Sequence, residues 1–246
     1  ILSTRNGLCA SEITCLIQSS KGFLWIGTSA GLSRYDGRGF KNFLKAGSYT
    51  AGRIYSIKED TARKVLWVAC NAGLCYLKNE KLSIVKSYQP GIMVYDIYLA
   101  AKGGMWVGTS AGPVFLSSNT INAVLENSVI DFSAFLLPQW KNIKSSGSEV
   151  CRITGNRSGD LYFACKIYLF LYTQKTLEPI WIADHKQNND DDAMELIHGN
   201  CDTIFFAPAD GRFDKIVKNK NSNFVNGQPI AGALAMHHQQ LYYMAG

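Results

Sequence analysis

Residues able to do chemistry are plentiful in this chain, and their spacing decides which chemistry is open to them. Glycoside hydrolysis needs two carboxylates facing one sugar. Glu59, Asp60, Asp96, Glu149 and Asp160 supply the groups. Most stand at turns, where a carboxylate hydrogen-bonds nearby backbone, and no spacing pairs two of them. A Ser/His/Asp set needs histidine, and His185, His198, His237 and His238 all sit late in the chain, with no Gly-x-Ser-x-Gly elbow. The His237–His238 pair reads as an exposed turn, with a metal site as the alternative. Asn188 to Asp192 (NNDDD) lacks the spaced ligands of a calcium loop and reads more simply as solvated acidic loop. Seven cysteines occur without a C-x-x-C pair or zinc spacing. Cys70 with Cys75, and Cys151 with Cys165, fall across hairpins, and each pair reads as buried thiols or as a disulfide. No catalytic set, metal or cofactor is expected.

The elements that position these residues come from an internal repeat. Residues 21–37 read KGFLWIGTSAGLSRYDG, residues 64–77 read KVLWVACNAGLCYL, and residues 103–116 read GGMWVGTSAGPVFL. Trp25, Trp67 and Trp106 hold one place in the pattern. Weaker copies put Tyr162, Phe205 and Tyr242 there, so successive anchors lie 42, 39, 56, 43 and 37 residues apart. Such a period fits blades of four strands or pairs of helices. Period-two alternation around Trp25, and several glycines in every copy, exclude helices. Turn chemistry at Ser20-Lys21-Gly22, Ala30-Gly31 and Asp36-Gly37 then predicts strands at about 13–18, 24–28, 32–35 and 40–44 in the first unit.

One four-stranded sheet cannot bury both faces; sheets set radially side by side can. The expected fold is therefore an all-β propeller over residues 1–246, with units at about 8–45, 52–88, 93–126, 149–183 and 194–225 and a partial one at 230–246. The anchors are packing residues on this reading, each burying a large ring between sheets. The last unit stops half-way, so the chain is expected to be part of a larger seven-bladed or double propeller. Composition agrees, with 47% hydrophobic and 18% charged residues and 22 glycines beside 6 prolines. The net charge of +6 is scattered, which argues against a nucleic-acid partner. No apolar run approaches the roughly 20 residues that cross a bilayer.

The segment from Ile13 to Asp36, ITCLIQSSKGFLWIGTSAGLSRYD, resembles the two-component regulator propeller repeat, with Gly7-Leu8 ahead of it. The later units depart from it, losing Trp and the Gly-Thr pair. The resemblance implies the periplasmic sensor region of a hybrid two-component regulator of the Bacteroidetes type. Neighbouring sensor domains, a membrane helix and a histidine kinase would then lie elsewhere in a longer parent. It also implies an oligosaccharide ligand and no enzyme activity in this chain; a dimerising or docking scaffold without a small ligand is the rival, and a glycan-active enzyme the more distant one.

A ligand face is expected where strand A opens and strand B closes. Arg53, Tyr55, Asn71, Tyr95, Arg152 and Lys166 fall there, and Arg and Tyr suit sugars through forked hydrogen bonds and stacking. The long spacing between the third and fourth anchors adds Asp131 to Ser148. Phe135 and Trp140 in it are read as exposed rings that line a pocket or dock a partner, against the alternative that they tuck under the fold.

Overall fold

The computed structural model describes residues 3–89, 91–143, 149–156, 159–165, 168–173 and 175–180, and beyond these the backbone of 181–182, 195–198, 203–207, 214–217, 220–223, 234–237 and 240–243. Two compact units are present: Ile1–Ser110 with Val114–Leu136, and Ala111–Pro113 with Leu137–Gly246.

Antiparallel sheets account for nearly every element. The first holds β1 (Ile13–Gln18), β2 (Leu24–Thr28), β3 (Leu32–Tyr35) and β4 (Phe40–Phe43), in that order. A small hairpin, β5 (Lys45–Ala46) with β6 (Tyr49–Thr50), leads to the second. That sheet holds β7 (Ile54–Asp60), β8 (Val65–Cys70), β9 (Gly73–Lys78) and β10 (Lys81–Ile84). The third is three-stranded: β11 (Val94–Leu99), β12 (Met105–Thr109) and β13 (Gly112–Leu116). Then come β14 (Arg152–Gly155), β15 (Leu161–Ala164), β16 (Tyr168–Tyr172) and β17 (Leu177–Ile182) in one sheet. Next are β18 (Glu195–His198), β19 (Thr203–Ala207), β20 (Asp214–Val217) and β21 (Lys220–Asn223), and finally the pair β22 (Leu234–His237) and β23 (Gln240–Tyr243). The four strands expected in the first unit thus appear to within one residue.

The third unit departs from the four-strand pattern. Where its outer strand was expected the chain forms helix α1 (Ser118–Leu125). Ser117 caps it, its Oγ accepting the Thr120 N–H at 3.2 Å. Ile121 and Val124, one turn apart, are buried on its inner side.

The second sheet shows why the blades must stack. Along β8 alternate side chains point to opposite faces. Leu66, Val68 and Cys70 join a core with Trp25, Leu32 and Phe43 of the first sheet. Val65, Trp67 and Ala69 join a second core with Ile97, Met105 and Val107 of the third sheet and with α1. Every residue of β8 is buried, so this sheet is apolar on both sides and needs a neighbour on each. Correspondingly β1 and β7, and β7 and β11, run side by side.

The anchors share one register. Trp25 lies opposite Ile17 and Arg34, Trp67 opposite Lys58 and Tyr76, and Tyr162 opposite Thr154 and Leu171. Trp25, Trp67, Trp106 and Tyr162 are all buried. Phe205 and Tyr242 occupy the corresponding strands β19 and β23, beyond the described side chains. The motif's Gly27 is required by contact: a Cβ there would stand 2.4 Å from Cys15 Sγ and 2.9 Å from Ile54 Cγ2. Thr28 closes the next turn, its Oγ1 donating to the Gly31 carbonyl at 2.9 Å and accepting the Ala30 N–H at 3.1 Å. In the second unit Cys70 takes that place, its thiol donating to the Gly73 carbonyl.

Arg63, paired with Asp60 in the second unit, ties that unit to the third through hydrogen bonds. Arg63 Nη1 lies 2.8 Å from Asp60 Oδ2, Nε donates to Asn122 Oδ1, and Nη2 donates to the Gly103 carbonyl and to Ser118 Oγ. Burial pushes the Asp60 pKa up. Hydrogen bonds and charge from Arg63, with the Trp67 indole N–H, more than offset this and hold it below the ordinary carboxylate value.

Two outcomes follow for urea unfolding. Trp67→Ala is expected to cost about 3–5 kcal/mol, against under about 0.5 kcal/mol for Leu16→Ala at an exposed site; equal costs would contradict the packing role. Arg63→Ala is expected to cost about 3 kcal/mol at pH 7. Because the Asp60 pKa is lowered by folding, its contribution is complete above the unfolded value of about 3.9 and fades as pH falls through the folded value. The Arg63→Ala cost should therefore shrink at pH 3, and a cost unchanged between the two pH values would remove Asp60 from the account.

Candidate functional site

Strand A of each early blade carries an irregularity that aims a side chain out of the ladder. Ile54 pairs with Cys70 but Ser56 pairs with Ala69, leaving Tyr55 as an extra, bulged residue. Val94 pairs with Thr109 but Asp96 pairs with Gly108, leaving Tyr95 in the same position. In the first blade the equivalent residue is Thr14. The bulges turn the two tyrosines toward each other, edge to face, with ring centroids 5.5 Å apart. Tyr55 Oη donates to Asn71 Oδ1 at 2.7 Å. Partial burial raises the Tyr55 pKa, so the phenol keeps the proton it donates. Asn71 itself is exposed, held by its N–H on the Arg53 carbonyl. Arg53 forms an ion pair with Glu12, and that hydrogen bond and charge hold Glu12 below its ordinary pKa.

Three of the predicted residues, Tyr55, Asn71 and Tyr95, are thus brought into contact, with Arg53 on the same segment. An adjoining cleft of about 280 Å³ opens between the turn after Asn71 and the connection from β10 to β11. Tyr49, Lys86, Gln89 and Phe132 line it. Gln89 Oε1 is buried there without a hydrogen-bond partner, an acceptor open to a hydroxyl. Sequence reasoning missed Tyr49 and Gln89, which lie in connections without a repeated pattern. It also missed the bulges, although Ile54 and Ile57, buried at a spacing of three where alternation requires two, signal one.

Other predicted residues fall elsewhere. Arg152 opens β14 in the second compact unit, its Nη1 donating to the Cys151 carbonyl at 2.9 Å. Lys166 lies outside the described residues, as do His185, His238 and Asn188 to Asp192. Trp140 corrects an expectation: its ring is buried, not exposed. It packs edge-on against Phe163 and Phe170, with centroids 6.1 and 4.9 Å away. A Cβ at Gly112, whose φ is +122°, would lie 2.3 Å from that ring, so the site accepts nothing larger than glycine. Phe135 likewise packs against the core, partly buried. Trp140 in this long insertion is buried because it has a sheet to cover.

Three of the five carboxylates considered for hydrolysis are engaged at turns. Glu59 accepts the Ser20 N–H at 2.7 Å and the Ser20 hydroxyl at 2.8 Å, Asp60 holds Arg63, and Asp160 accepts from Asn156. Cys70 and Cys75 carry thiols with sulfurs 3.5 Å apart, and Cys165 carries a buried thiol. Burial pushes the Cys165 thiol pKa up. Among the described residues no three His, Cys, Asp or Glu side chains gather at metal-binding distance, and no helix is long and apolar enough to cross a membrane.

These sheets and turns define a class, the β-propeller with four-stranded blades. Comparison with solved structures agrees. The extracellular domain of BT4673 from B. thetaiotaomicron, described as a one-component system, superposes with a TM-score of 0.70 at 14% identity, over 95% of this chain and 35% of that one. The extracellular domain of BT3049 from the same organism, described as a hybrid two-component system, gives 0.58 at 14% identity, over 90% and 35%. The β-propeller domain of Swd1 from Myceliophteria thermophila gives 0.53 at 14% identity, over 85% and 66%. The chain spans about a third of the length of the first two. Comparison with curated proteins returns no match. Residues 7–30, at the first blade, match the model described as "Two component regulator propeller".

The buried Trp140 has a measurable consequence. Trp140→Ala is expected to lower stability by about 3 kcal/mol in urea unfolding; a neutral substitution would return Trp140 to the surface.

Proposed function

We propose that this chain is the ligand-sensing propeller of an extracytoplasmic signalling protein and that it reads an oligosaccharide at the face carrying Tyr55, Asn71 and Tyr95. The observation that carries the reading is the pair of bulged tyrosines beside the exposed Asn71, next to a cleft with an unpartnered acceptor at Gln89. Aromatic edges and faces pack on sugar rings, and amide groups meet hydroxyls as donor and acceptor alike. The repeat and the fold neighbours support the sensor class. A periplasmic location, a membrane-anchored histidine-kinase parent, contacts with neighbouring sensor domains and homodimerisation belong to the same proposal. A scaffold that only docks or dimerises is the rival.

The test is thermal-shift screening against an oligosaccharide panel, followed by calorimetric titration of each stabilising sugar. Asn71→Ala and Tyr95→Ala are each expected to weaken binding about five- to tenfold. Binding untouched by both substitutions would move the site elsewhere. Silence across the panel together with a stable dimer in solution would favour the scaffold.

A further inference from the structure

The blades have a second end, where strand A turns into B and C into D, opposite the tyrosine face. Between the first and second blades it holds a cleft of about 580 Å³, large enough for a small ring compound. Phe23 and Trp25 form one wall, and the Arg34 guanidinium lies over both rings, 4.5 and 5.6 Å from their centroids. Two aromatic faces and an ion pair through Nη1 to Glu80 fix the plane of that guanidinium. Its Nε is buried and has no hydrogen-bond partner. An unpaired buried donor on a charged group is costly, and a guanidinium fixed beside the recess offers a carboxylate a cationic hydrogen-bonding partner.

The surrounding charge favours the same kind of occupant. Glu80 is shared between Arg34 and Lys41, whose Nζ lies 2.8 Å away. Glu59 is occupied by Ser20. Lys21 and Lys64 line the cleft, exposed and without an ion pair among the described residues. Positive charge therefore exceeds negative charge around a rigid, ring-lined recess. We infer that this cleft is a second binding site, for a small ring-bearing carboxylate held against the Arg34 guanidinium and steered by Lys21 and Lys64. The site is independent of the tyrosine face, so either can fail without the other.

Benzoate and benzyl alcohol, which share a ring and differ in the charged group, are the probes. Titration of the whole chain by calorimetry is expected to show benzoate binding at least about tenfold tighter than the alcohol, weakening with salt. Arg34→Met should abolish the preference. Arg34 also bridges two blades, so the double variant Lys21→Ala/Lys64→Ala, at exposed positions, serves as the second measure. It should weaken benzoate about threefold or more with an unchanged unfolding curve. Equal affinity for the two probes, no benzoate binding, or benzoate binding indifferent to both variants would overturn the site.

Discussion

Burial on both faces of a sheet is the constraint on which the structure depends. A strand such as β8, buried along its whole length, cannot stand at a surface. It demands sheets to either side, and those sheets in turn expose faces that need covering. Trp67 sits fully buried in the middle of that strand, against Tyr76 on its own sheet with centroids 5.8 Å apart and against the third sheet beyond. Repetition of an aromatic at this register converts a chain of hairpins into stacked blades. Hydrogen bonds such as those from Arg63 to Gly103 and Ser118 refine the spacing between blades, but area removed from water supplies most of the drive.

The same constraint explains where binding can occur. Blade interiors are packed, and side chains there are committed to neighbours. Freedom remains at the two ends of the blades, where turns carry residues with no core to fill. At one end a bulge in strand A releases Tyr55 and Tyr95 from the ladder, and Asn71 stands on the turn beside them. At the other end Arg34 is clamped over Phe23 and Trp25 beside a ring-lined recess. Both are rigid arrangements, and rigid groups lose little entropy on meeting a ligand.

Much of the fold was legible in the amino-acid sequence because its signals are local. Trp25, Trp67 and Trp106 recur with the same flanking residues, and Gly27 and Thr28 each have a purely geometric reason to be there. The helix α1 was not legible, since Ser117 to Leu125 replaces a strand only because Ile121 and Val124 find a core to enter. Trp140 misled for a related reason: nothing within its own segment reveals that Phe163 and Phe170 cover it. Of the ligand face, the residue types at Tyr55, Asn71 and Tyr95 were readable, but the bulges that unite them depend on register between strands. Gln89 was invisible, because an unsatisfied acceptor exists only once its surroundings do.

Hydrogen exchange read by mass spectrometry tests the stacking claim most directly. If the aromatic-bearing strands lie between covering sheets, amides of residues 65–70 and 105–109 should be the slowest to exchange, and those of the outer strands 40–43 and 81–84 much faster. Uniform exchange across each sheet, or slower exchange in the outer strands, would show that burial between blades is not what holds the fold.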